Sequence, residues 1–71
     1  MAEYTVLLTW DDEAKVWVAE NDDIPIALES GSFDTLIERV RYATPEILVE
    51  NGKSADAYLN FITHRRAKAY A

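Results

Sequence analysis

The chain has no cysteine, one histidine, two glycines and two prolines in 71 residues. Without cysteine there is neither a disulfide nor a thiolate metal site. His64 alone cannot build a histidine cluster. Gly31 and Gly52 are isolated, so no glycine-rich loop can cradle a phosphate. No apolar run approaches the roughly 20 residues of a membrane span. The start Met1-Ala2-Glu3-Tyr4 lacks a basic segment followed by an apolar one, so no secretory signal is expected. These absences together predict a cytoplasmic protein with no membrane partner. Positive charge is also scarce: 7 Lys and Arg face 13 Asp and Glu, a net charge of −6.

The charge is unevenly placed. Residues 57–71 hold no acid and carry Arg65, Arg66 and Lys68, for +3; residues 1–56 hold the rest, for −9. Nucleic-acid affinity comes largely from cations that displace counterions from phosphates. Direct DNA or RNA binding by the acidic body is therefore not expected, whereas a basic protein would be attracted. Plain solubility is the bland account of the same charge. At this length one domain, residues 1–71, is expected, with 63–71 as a basic, frayed tail. So small a core is marginal, and with no disulfide or metal the remaining support is association, which predicts a homodimer.

The hydrophobic pattern reads as three short strands, then a helix. Tyr4–Trp10 is rich in β-branched and aromatic residues, and Asp11-Asp12-Glu13-Ala14 is a polar turn. Lys15–Glu20 returns as a second strand, Asn21-Asp22-Asp23 turns again, and Ile26–Glu29 follows Pro25 as a third. Ser32 is placed to cap a helix whose first turn carries Asp34. Phe33, Leu36, Ile37, Val40, Thr44, Ile47 and Leu48 keep a 3.6-residue period, and Asn51-Gly52 ends it. Pro45 either kinks this helix or splits it in two. Ala57–Thr63 reads as a last strand, or as a short helix running into Arg65–Ala69.

The expected fold is α+β, ordered β-β-β-α-β: a small antiparallel sheet with one amphipathic helix on a face. Tyr4, Val6, Leu8, Trp10, Val16, Val18, Ile26 and Leu28 are expected against the helix. The other face would then carry Leu7, Trp17, Ala19 and Ala27, joined by Tyr58 or Ile62 from the last strand. A solvated sheet face is normally polar. An apolar patch around Trp17 reads as an interface, or as a surface covered by the returning tail.

No residue constellation carries chemistry. Asp11-Asp12-Glu13 and Asp22-Asp23 do not match a calcium loop and suit solvated turns. His64 sits beside Arg65 and Arg66 without an orienting partner, and reads as a surface histidine. Ser32 is explained by capping, and neither Ser30 nor Ser54 stands in a nucleophile elbow. No catalytic, cofactor-binding or metal-binding residue is assigned, and no enzyme activity is expected.

Trp10-Asp11-Asp12-Glu13, Lys15-Val16-Trp17-Val18-Ala19, Asp23-Ile24-Pro25 and Ser32-Phe33-Asp34-Thr35-Leu36 occur in this order. Together they resemble the HicB antitoxin family, and most of all a short uncharacterised branch beside it with a proline-glutamate pair in the helix, here Pro45-Glu46. The likeness covers about residues 4–62 and lies in structural residues. It implies a non-enzymatic protein that neutralises a small, basic, RNA-cleaving toxin of the HicA type by binding it. The family's appended DNA-binding domain is not present in these residues, so operon repression is not implied. Ile26 stands where the family usually has glycine. With the charge asymmetry, the resemblance points to Leu7 and Trp17 as partner-binding anchors and to Asp11, Asp12, Glu13, Asp22 and Asp23 as steering acids. A stand-alone homodimer, formed through the second sheet face or an edge strand, is the alternative.

Overall fold

The computed structural model describes residues 2–70. Met1 and Ala71, at the ends of the expected domain and tail, lie outside the described residues. The elements follow the expected order: β1 (Ala2–Asp11), β2 (Val16–Glu20), β3 (Ala27–Ser30), α1 (Phe33–Glu50) and β4 (Ala57–His64). The fold is α+β with a four-stranded sheet ordered β3-β2-β1-β4. The sheet is mixed rather than wholly antiparallel. β1–β2 and β2–β3 are antiparallel, but β4 lies parallel to β1, from Ala2 opposite Ala57 to Thr9 opposite His64. A helix between β3 and β4 makes this possible, because parallel strands need a long crossover.

The helix is built as its sequence dictates. The Ser32 hydroxyl accepts from the Thr35 amide at 3.3 Å. At the other end Lys53 N–H donates to Leu48 and Gly52 N–H to Val49, with Gly52 at φ 72. That is a Schellman ending, and the positive φ favours glycine. α1 runs unbroken through Pro45 as one helix. The Thr44 hydroxyl donates to the Val40 carbonyl at 2.6 Å, which satisfies a polar group buried beside the proline. Leu36, Val40, Thr44 and Leu48 face the sheet, flanked by partly buried Phe33, Ile37 and Ile47.

The core is completed by Val6, Leu8, Ala19, Ile24 and Ile26, all buried. The second strand faces the opposite way from expectation. Trp10 pairs with Trp17 and Leu8 with Ala19. Opposite residues in an antiparallel pair share a face, so Trp17 and Ala19 lie on the helix side and Val16 and Val18 on the open side. Ile26 is buried in the turn before β3 rather than within a strand. Residues 57–64 are a strand, and 65–70 have no regular structure. No helix in the described residues is long and apolar enough to cross a membrane.

Candidate functional site

The single helix covers one face of the sheet and leaves the other uncovered. β1 contributes Leu7, and its neighbour across the parallel pair is Ile62 of β4. Leu7 is 38% exposed, Ile62 49% and Tyr58 66%. Val18 extends this strip on β2, opposite Thr9. Apart from Val16 and Ala27, the rest of the face is polar or acidic. By strand alternation it carries Glu3 and Asp11 on β1, Glu20 on β2 and Glu29 on β3. Among the described strand residues, none on this face is lysine or arginine.

One end of this face is concave. Glu3, Thr5, Leu7, Glu20, Asn21, Asp22 and Asp23 line a depression of about 360 Å³. Asn21 shapes it. Its side-chain amide donates to the Thr5 carbonyl, and its oxygen accepts from Asp23 N–H at 2.7 Å and Ile24 N–H at 2.9 Å. The turn is thereby clamped to β1 with Asp22 and Asp23 exposed beside Leu7.

The other acids expected to steer a partner lie at the hairpin end of the sheet, Asp11 as the last residue of β1 and Asp12 and Glu13 in the turn. Asp11 is spent locally, accepting from the amides of Glu13 and Ala14 in the β1–β2 turn. Lys15 closes that turn at φ 57. Asp12 accepts from the Lys15 ammonium at 3.0 Å and the Trp10 indole N–H at 3.2 Å. These donors, Lys15 first, hold its carboxyl below the ordinary 3.8. Trp17 is packed between Trp10 and Phe33, with ring centroids 5.3 and 5.0 Å away and both pairs edge-to-face. Arg65 lies over this cluster, 4.3 Å from the Trp10 ring and 5.7 Å from the Trp17 ring. The tail thus does reach Trp17, through Arg65 just after β4.

The expected site therefore divides. Leu7, Asp22 and Asp23 come together on the open face. Trp17 is a corner of the core, and Asp11, Asp12 and Glu13 form the hairpin tip. Sequence reasoning missed Asn21 as an organiser. Tyr58 and Ile62 share the face of Leu7, as expected for one or other of them; that Ile62 lies directly opposite Leu7 could not be read, because β4 had to be known to neighbour β1. A second groove, of about 350 Å³, runs between α1 and β4 over Leu59 and Phe61, with Arg41 at its side. Among the described residues no group of three or more His, Asp or Glu is placed to hold a metal ion.

Comparison with known proteins gives the relatives of this geometry. Residues 3–71 match the family described as Domain of unknown function (DUF1902). The crystal structure of a hypothetical protein from Thermus thermophilus, an extremely thermophilic bacterium, is similar at 34% identity and a TM-score of 0.80. The likeness covers 94% of this chain and 99% of that one. No curated protein matches.

Proposed function

Since the chain belongs to the DUF1902 family, a domain of unknown function, we propose from its own surface that it is a non-enzymatic protein-binding domain, HicB-like in role. Its open sheet face captures a small basic protein in the cytoplasm. Where that protein is a HicA-like RNase, capture covers the toxin's RNA-contact surface and neutralises it. The observation that supports this reading is the open face itself. Leu7 and Ile62 form an apolar centre, and every formally charged strand residue around them is acidic. A few buried anchors hold a complex, while complementary charge speeds and orients its formation. Leu7 takes the anchor role with Ile62; Glu20, Asp22 and Asp23 steer. Trp17 has no part in the contact, because its ring is packed on the helix side.

Co-expression with a basic reading frame adjacent in the genome, followed by pull-down and growth rescue, tests the proposal. Leu7→Asp should abolish capture while the chain stays folded by far-ultraviolet circular dichroism, since Leu7 lies outside the buried core cluster. Trp17→Ala should cost about 3 kcal/mol of stability yet still capture the partner where the chain remains folded. Capture that survives Leu7→Asp together with loss of Asp22 and Asp23 would overturn the assigned face. Absence of any complex or rescue would overturn the function.

A further inference from the structure

The sheet's two edges are treated differently. β3 is four residues long, follows Pro25 closely and carries Glu29. The Arg39 guanidinium also reaches from the helix to the Glu29 carbonyl, 2.8 Å away. Short length, charge, proline and a covering side chain are the usual protections of an exposed edge. β4 has none of these. It is eight residues long and has no Asp, Glu, Lys, Arg, Pro or Gly. Its outer side has no strand neighbour among the described residues. An unprotected edge of this kind is a template for another strand.

The sequence of β4 says which strand. Tyr58-Leu59-Asn60-Phe61-Ile62 places large apolar residues symmetrically about Asn60. We infer that β4 pairs antiparallel with β4 of a second copy, about a two-fold axis through Asn60, joining two sheets into one. In that register Tyr58 of each copy faces Ile62 of the other on the open side. Leu59 faces Phe61 on the helix side. Aromatic–β-branched and other large apolar cross-strand pairs are the stabilising unit of a sheet. Both sets are available, since Tyr58 and Ile62 are exposed and Leu59 and Phe61 only partly buried. The groove between α1 and β4 opens beside these last two residues.

Charge supports the same partner and the same direction. Asp56 immediately precedes β4, while Arg65, Arg66 and Lys68 follow it. Antiparallel pairing brings the acidic start of one strand beside the basic exit of the other, twice by symmetry. The uncharged strand is also where two copies of a chain with net charge −6 meet with least repulsion. The pairing leaves both open faces uncovered on one side of the joined sheet. It therefore does not depend on the basic-partner reading.

The test places charge on the axis. Asn60 is exposed on β4, away from the helix. Asn60→Asp and Asn60→Lys each set like charges against each other in the homodimer, but opposite charges in a mixed dimer. Sedimentation equilibrium at micromolar wild-type protein should give twice the chain mass. Each variant should dissociate at least tenfold more readily with unchanged far-ultraviolet circular dichroism. Mixing the two variants should restore the dimer, seen as the heterodimer mass in native mass spectrometry. Should a variant misfold, an isotope-filtered nuclear Overhauser experiment on mixed labelled wild type reads the Tyr58–Ile62 contact directly. A wild-type monomer, dimers in both folded variants, or no intermolecular Tyr58–Ile62 contact would each overturn the pairing.

Discussion

Asn21 makes three hydrogen bonds at one turn, to Thr5, Asp23 and Ile24, from a partly buried position. At about 1 kcal/mol net for each bond, Asn21→Ala should cost about 2–3 kcal/mol. Urea unfolding should show a lower midpoint at unchanged slope. Asp12 makes a prediction in pH. Lys15 and then Trp10 donate to it and lower its folded pKa from 3.8. A group depressed in the folded state adds stability that is complete above its unfolded value and is lost as pH falls through the folded one. Urea midpoints of wild type should therefore fall more steeply below pH 3.8 than those of Asp12→Asn. Parallel acid limbs would refute the contribution. At this same scale the chain was only partly legible. That Asp11 and Asp12 are turn acids could be read, because Asp accepts from nearby backbone amides. That Asn21 reaches Thr5 could not, since that contact spans 16 residues.

Among the elements, α1 was the most legible, because its signals are local. The Ser32 cap, the apolar period and the Gly52 exit all acted as their chemistry requires. β2 was misread because Val16-Trp17-Val18-Ala19 is apolar on both sides, so alternation does not say which side faces the core. The hairpin loop holds the missing information. Asp12–Lys15 is a four-residue turn between paired Asp11 and Val16, which sets Trp10 opposite Trp17. The parallel placement of β4 could not be read at all, since it depends on which sheet edge the crossover reaches. Pro45 yields the prediction at this scale. It lies exposed inside a continuous helix and cannot donate to the Arg41 carbonyl. Pro45→Ala should restore that bond and raise stability by about 1–3 kcal/mol, read as a higher urea midpoint. A lower midpoint would mean that the ring's packing beside the α1–β4 groove outweighs the missing bond.

At the scale of the whole molecule, charge is the property that sequence and fold describe in the same way. The sequence puts −9 on residues 1–56, and the fold spreads Glu3, Asp11, Glu20 and Glu29 over its uncovered sheet face. A duplex approaching that face would meet carboxylates around an apolar strip. The three tail cations are the alternative contact, and Arg65 is already stacked on Trp10. Each phosphate neutralised contributes about −0.9 to the slope of log K against log salt. Arg66 and Lys68 together would thus give a slope of only about −2, shallower than specific binders with many phosphate contacts show. The isolated chain is therefore expected to give no gel shift with its upstream promoter DNA at submicromolar protein and physiological salt. A shift with a steep salt dependence, abolished when Arg65, Arg66 and Lys68 are removed, would show that the tail outweighs the body and would make this an electrostatic nucleic-acid binder. A shift that survives removal of the tail would instead require a DNA-contacting surface within the acidic body.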